Sequence, residues 1–261
     1  MPIVAQLRNW DQRMVSERGS QRTFLGVSAL LFAASAAVTI VWCASMSVMG
    51  GMPMPGGWTM SMAWMRMPGQ TWSGAAASFL GMWIVMMVAM MLPALSPMLW
   101  RQSGPLTALV GLGYFAVWTL TGVIAFPLGV ALAEAEMRSA ALSRAVPVAG
   151  GVLIVLSGLL QLSRWKARQL ECCRGAGEHA GAASASAKEA WRHGMRLGLL
   201  CFRCCAPMTA VLFVAGVMDL RVMAACGAAI TLERLAPRGL YTARLMGYAT
   251  ILMGSIYLAR G

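Results

Sequence analysis

The sequence has few charged residues, and acidic residues are the scarcest of them. Only 11% of its 261 residues are charged, and Asp and Glu together number 9 against 21 Lys and Arg. No paired carboxylates occur within its apolar runs, so proton coupling through acidic side chains is not expected. A Walker phosphate-binding loop and kinase or hydrolase signatures are also missing, which argues against ATP-driven pumping by this chain alone.

Apolar length is what the sequence has in abundance. Hydrophobic residues make up 59% of the chain, well above the range of soluble domains, and this composition is typical of a multi-pass membrane protein. A helix needs roughly 20 apolar residues to cross a bilayer, and runs of that length predict an all-α transmembrane helix bundle. The runs cover 24–48, 72–99, 105–133, 145–163, 197–218 and 241–259, with a shorter seventh at 222–235.

The distribution of positive charge predicts the orientation of this bundle. The net charge of +12 lies between the apolar runs rather than on a basic face, which speaks against nucleic acid as a partner. With seven spans and a cytoplasmic N-terminus, 15 Lys and Arg fall inside and 5 outside, as cytoplasmic retention of positive charge requires. We therefore predict a basic cytoplasmic segment 1–23 and a single transmembrane domain 24–261, with an external loop 49–71 and a basic cytoplasmic loop 164–196.

The external loop is rich in methionine. Its residues 49–70 hold seven methionines at spacings that fit neither a helix nor a strand: Met49, Met52, Met54, Met60, Met62, Met65 and Met67. A thioether is a soft neutral ligand that selects Cu(I) and cannot form a disulfide outside the cytoplasm. The loop is therefore a candidate for copper capture, although methionine and Trp also serve as flexible apolar anchors at membrane surfaces.

The second apolar run continues this pattern along a helix. At ~100° per residue, Met86 and Met90 lie on one stripe and Met91 lies beside them. Gap-filling methionines are common in helix bundles, so packing is the competing interpretation. We predict that these three side chains line a path for a soft metal.

Three cysteines mark the fifth run, in LCFRCCAPM. Cys201, Cys204, Cys205 and Met208 share one helical face, whereas Arg203 points the opposite way. Soft sulfur ligands at this spacing suit Cu(I), or Zn(II) as a second choice. Cys204 and Cys205 lie roughly 13–15 Å from the cytoplasmic end of the fifth run, and Met90 or Met91 lies roughly 12–14 Å from that end of the second run. The two sulfur groups should therefore lie at the same depth.

Three further residues are candidate metal ligands on the cytoplasmic side. Cys172 and Cys173 lie in the basic loop, where neighbouring Arg and Lys should lower thiol pKa, and they are candidates for passing metal to or from the membrane site. His193 lies just before the fifth run. A lone His at an interface is often incidental, so its assignment is the weaker one.

These motifs resemble a bacterial family of polytopic inner-membrane proteins described as predicted metal-binding integral membrane proteins, a domain of unknown function. The likeness rests on Trp83-x-x-Met86-x-x-Ala89-Met90-Met91-x-Pro93, on His193-Gly194 with Cys201-x-x-Cys204-Cys205, and on Glu233-Arg234. It implies metal binding in a bacterial inner membrane. The charge distribution over seven spans separately predicts a C-terminus in the periplasm. Gln169 replaces a cysteine that this family carries in the basic loop, and Arg203 stands where a small residue is usual.

The combined pattern predicts a membrane protein that handles Cu(I), as a transporter or membrane chaperone, and not an enzyme. Its expected partners are the lipid bilayer and a copper chaperone or membrane metalloenzyme. Two alternatives stay open: a membrane thiol-disulfide oxidoreductase that uses a cysteine pair, and an accessory subunit whose small residues pack against a partner.

Overall fold

The computed structural model describes residues 2–48, 50–67, 69–101, 106–175 and 186–260. Helices dominate this part of the chain, which confirms the predicted all-α class. The elements are α1 (Pro2–Val48), β1 (Met52–Pro53), β2 (Thr59–Met60), a 3-10 turn (Met62–Trp64), α2 (Trp72–Arg101), α3 (Thr107–Arg138), α4 (Ala140–Leu162), α5 (Arg164–Gly175), α6 (Ala187–Ala215), α7 (Leu220–Leu235) and α8 (Gly239–Arg260).

The helices begin and end at capping residues rather than at the limits of the apolar runs. Ser139 caps α4 by accepting a hydrogen bond from the Leu142 amide, and Asp219 caps α7 in the same way. Gly216 ends α6 with a φ of 123°, a conformation that suits glycine. Helix α6 therefore ends before the last residues of the apolar run 197–218. It begins ten residues before that run.

In the described part of the chain, five helices are long and apolar enough to cross a membrane. They cover Arg22–Met46, Trp72–Trp100, Thr107–Arg138, Ala140–Leu162 and Ala187–Ala215. Helix α7 has 16 residues, and α8 does not meet the same requirement of length and apolar composition. Seven spans and their orientation therefore stay predictions.

The bundle places its apolar side chains outward and many of its polar groups inward. Large aliphatic side chains such as Leu30 and Leu128 are exposed at 71% and 64%. Lys166, Glu233 and Arg234 are buried among methionine, cysteine and aromatic residues. This distribution suits a hydrocarbon surrounding, in which an exposed leucine has no energetic cost and a charge must be shielded by protein.

Glycine brings two helix pairs into close contact. Gly158 of α4 faces the backbone of α8 at Gly247, and Gly254 faces α4 at Val155. Gly113 of α3 and Gly194 of α6 form a second such crossing. Small residues let helix backbones approach closely in membranes, and the second crossing positions the residues described next.

Candidate metal centre

Helix α6 presents three thiols toward the interior of the bundle. Cys201, Cys204 and Cys205 are at most 2% exposed, and the Sγ atoms of Cys201 and Cys205 are 3.7 Å apart. Met208 is buried one turn further along, whereas Arg203 is exposed. The helical spacing therefore separates the sulfur face from the arginine.

Helix α3 contributes a hydroxyl to this sulfur face. A side chain at Gly194 would collide with the carbonyl group of Val110, and one at Gly198 would lie 2.8 Å from the carbonyl oxygen of Tyr114. The close crossing that these glycines permit brings the Tyr114 hydroxyl to 2.9 Å from Cys201 Sγ, to which it donates a hydrogen bond.

Helix α5 brings a fourth thiol to the cluster. Its residues Lys166, Leu170 and Cys173 recur at helical spacing and are all buried, whereas Cys172 is exposed. Cys173 interacts with both Cys201 and Cys204. We call Cys173, Cys201, Cys204 and Cys205 the thiol cluster.

The two cysteines of α5 thus lie in different surroundings. The expectation that basic neighbours lower thiol pKa is wrong for Cys173. Its pKa is raised well above the ordinary value, because hydrogen bonding to Cys201 and Cys204 and then burial favour the protonated thiol. Of the basic residues that prompted the expectation, Arg164 and Arg168 are exposed, and Lys166 is buried but paired with Glu233.

A buried ion pair lies directly beside the thiol cluster. Lys166 Nζ donates to the backbone oxygen of Cys204 and to Oε2 of Glu233, each over 2.7 Å. Gln161 Nε2 donates to the other carboxylate oxygen of Glu233 over 2.5 Å. Burial lowers the pKa of Lys166, but the charges on Cys204 and Glu233 outweigh it, so its pKa is raised and Lys166 is charged at neutral pH.

The residue after Glu233 contacts the cluster itself. Arg234 is buried, and its Nη1 donates to Cys201 Sγ over 3.3 Å. Cys201 therefore accepts hydrogen bonds from two helices, through Tyr114 and Arg234. Such donors stabilise a negatively charged sulfur, whether or not a metal is bound to it.

The predicted methionines of α2 lie in the same buried core as the thiol cluster. Met86, Met90, Met91 and Met208 are all at most 8% exposed, and they belong to one continuous set of packed side chains with the cysteines. Met90 packs against α7 at Gly227. The structure thus brings the two sulfur groups into one core.

The external loop is folded more tightly than its composition predicts. Met54 and Met60 are buried against Ala133 of α3, under Trp58 and Trp64. Trp58 Nε1 donates to the Ser143 carbonyl oxygen over 2.9 Å. Met52 is exposed, the other described methionines of the loop are half-buried, and Met49 lies outside the described residues.

His193 is not brought to the cluster. It is half-buried on α6, eight residues before Cys201, which is about 12 Å along a helix. Residues 176–185 of the predicted basic loop lie outside the described part of the chain.

Four residues near the cluster were not predicted from the sequence as site residues. Glu233 and Arg234 had a signal, since two adjacent charges end a short apolar run and need partners in a membrane protein. The sequence signal for Lys166 was weaker and consisted of its helical spacing to Leu170 and Cys173. Tyr114 had none, because it is placed by a glycine crossing between helices far apart in sequence.

The cluster is a set of hydrogen-bonded thiols rather than a finished metal site. Among the residues that the structure describes, no three His, Cys, Asp or Glu side chains are already arranged to hold a metal ion. All seven cysteines are free thiols.

Comparison with known proteins identifies a family. Neither a curated protein nor a solved structure matches the chain. The PpoB2 family, described as "Copper chaperone", matches residues 80–257, a range that includes the four thiols, Tyr114, Lys166, Glu233 and Arg234. On this match over more than half of its length, the chain belongs to the PpoB2 copper chaperone family.

Proposed function

We propose that the chain is an integral membrane protein that binds Cu(I) at the thiol cluster and passes it on, as a membrane chaperone or transporter. The observation that carries this proposal is the convergence of four buried thiols from two helices. Cys173 on α5 and three cysteines on α6 are separated by at least 27 residues of sequence, yet they meet in one place. The family description supports copper as the metal.

The sulfur geometry supports a common metal ion. Two sulfurs bound at about 2.3 Å to one tetrahedral ion are roughly 3.8 Å apart. The Sγ atoms of Cys201 and Cys205 are separated by 3.7 Å. This separation matches that of two sulfur ligands of one soft cation.

The methionines supply the route in this proposal. Thioethers at Met52 and elsewhere in the external loop collect Cu(I), and the buried methionines Met86, Met90, Met91 and Met208 lead it through the core. Neutral ligands bind Cu(I) less tightly than thiolates, so copper moves toward the cluster. In this proposal Cys172, which is exposed on α5, exchanges copper with a soluble partner.

The test measures copper bound by the purified protein. Replacing Cys201, Cys204 and Cys205 together by Ser is expected to remove the tightly bound Cu(I), because the cluster loses three of its four thiols. Copper per chain is measured by mass spectrometry after loading under reducing conditions. The matched control is Cys226→Ser, which removes a buried thiol whose hydrogen bond goes to the Met208 carbonyl oxygen outside the cluster. Equal copper content in the triple variant and the control contradicts the proposal.

The oxidoreductase alternative is separated in the same preparations. A redox enzyme that used Cys201 and Cys205 would show a reversible disulfide after rapid thiol blocking, whereas a copper site would show free thiols and bound metal.

A further inference from the structure

A fixed positive charge lies against the thiol cluster without a carboxylate of its own. Arg234 donates to Cys201 Sγ and also interacts electrostatically with Cys173, Cys205 and Tyr114. In the parts of the chain that the structure describes, the two salt bridges join Lys166 to Glu233 and Arg138 to Glu134, and neither includes Arg234. A guanidinium stays charged at every physiological pH.

The remaining charges near the cluster cancel or lie further out. Lys166 and Glu233 are joined at 2.7 Å and neutralise each other. Arg174 is only half-buried, and its guanidinium donates to the backbone oxygens of Glu233 and Ala236. Among the described residues, the buried neighbourhood of the cluster therefore carries one uncompensated positive charge, that of Arg234.

We propose that Arg234 is a specificity-determining residue that sets the charge of the bound copper complex. The inference rests on the proposed function and deepens it. A buried charge is costly unless an opposite charge lies beside it, so the favoured complex has a net charge of −1. One Cu(I) with two thiolates has this charge, and further sulfur donors must then be neutral thiols or the Met208 thioether.

This charge balance limits the number of thiolates and of Cu(I) ions in the complex. Cys201 is one of the two thiolates, because Arg234 and Tyr114 both donate to its sulfur. Two Cu(I) ions held by four thiolates would carry a charge of −2, which Arg234 alone does not balance. Two Cu(I) ions could reach a charge of −1 only with a third thiolate in the buried core, so the complex with the fewest buried charges is a single Cu(I) with two thiolates.

The variants separate the charge from the fold. Arg234→Gln is expected to weaken Cu(I) binding by roughly tenfold to a hundredfold, because a charged hydrogen bond to the ligand sulfur is lost. Arg234→Lys keeps the charge and should recover part of that affinity. The matched control is Arg203→Gln, which removes an exposed arginine on the far face of α6 and should leave affinity unchanged. Affinity is measured by competition with a coloured Cu(I) chelator, and equal affinities for the Gln variants at 234 and 203 overturn the proposal.

A second measurement needs no variant at Arg234. The copper content of the wild-type protein should exceed that of the Cys201, Cys204 and Cys205 triple Ser variant by one ion per chain, and X-ray absorption should show sulfur donors without copper–copper scattering. A difference of two ions, or copper–copper scattering, overturns the proposed complex of a single Cu(I) with two thiolates. A difference of zero instead contradicts the proposed function itself, so the two failures are distinguishable.

Discussion

The sulfur of Cys201 and the carboxylate of Glu233 each accept hydrogen bonds from side chains of two other helices. Tyr114 and Arg234 donate to the first, and Gln161 and Lys166 donate to the second. The donors to Glu233 come from α4 and α5, and those to Cys201 come from α3 and α7. Individual side chains thus connect α3, α4 and α7 to the two helices, α5 and α6, that carry the cluster.

Lys166 is the residue at which this arrangement is most sensitive to substitution. Lys166→Met removes one member of a fully buried ion pair and leaves Glu233 charged, which is expected to cost about 3–5 kcal/mol of stability. The double variant Lys166→Met with Glu233→Gln removes both charges and should regain much of this loss. Apparent unfolding temperatures in detergent at neutral pH give the comparison.

The control for this substitution is Lys188→Met, at an exposed lysine near the start of α6. It should shift the unfolding temperature little. A Lys166 variant as stable as this control would show that the ion pair does not hold α5 in place. The raised pKa of Lys166, set by burial against the opposing charges of Cys204 and Glu233, keeps its stabilising contribution intact below about pH 10, with loss only at higher pH.

At the scale of helices, the contact between α3 and α6 determines whether the cluster forms. Gly194 has the carbonyl group of Val110 where its Cβ would be, so any side chain there pushes the helices apart. Tyr114 would then move away from Cys201, and the cluster would lose one of its donors.

Gly194→Ala is therefore expected to destabilise the protein by about 1–3 kcal/mol or more through overpacking. Gly26→Ala is the matched control, because Gly26 lies within α1 and no atom lies within 4 Å of the position that an added methyl group would take. There the change should be neutral or stabilising by up to about 1 kcal/mol, since alanine is the better helix former. Size-exclusion profiles and unfolding temperatures of the two variants check this, and similar losses in both would argue against a tight crossing.

Helix α5 is an element that the sequence pattern did not predict. Hydropathy identified the long helices, and the spacing of the cysteines identified the sulfur face of α6. Both are local properties of the sequence. The hydropathy pattern assigned residues 164–196 to a loop, because the 12 mostly polar residues of α5 give no membrane-spanning signal. The buried positions Lys166, Leu170 and Cys173 form a helical stripe, but their partners on α6 and α7 are set by tertiary packing.

For the molecule as a whole, the sequence supports a membrane location more firmly than a number of spans. Five helices meet the length and composition of a span, whereas α7 is short and both α7 and α8 carry arginines. Their fit to the bundle depends on contacts with α2 and α4 that no single run of sequence reveals.

Thiol labelling in intact cells tests the predicted orientation. With the N-terminus inside, a cysteine introduced by Thr59→Cys in the external loop should react with a membrane-impermeant reagent, because Thr59 is exposed. The exposed native Cys172 should react only after the membrane is permeabilised. Peptide mass spectrometry locates the labels. Labelling of Cys172 in intact cells would contradict the predicted orientation.

The complete burial of the four thiols has a kinetic consequence. All are at most 3% exposed, and a cavity of about 480 Å³ between α5 and the turn to α8 is lined by Leu170, Arg174 and Tyr241 rather than by any of them. If Cu(I) binds at the cluster as proposed, an acceptor reaches it only after α5 or a neighbouring helix moves. The rate of copper release should therefore level off as acceptor concentration rises, at a ceiling set by the protein's own opening.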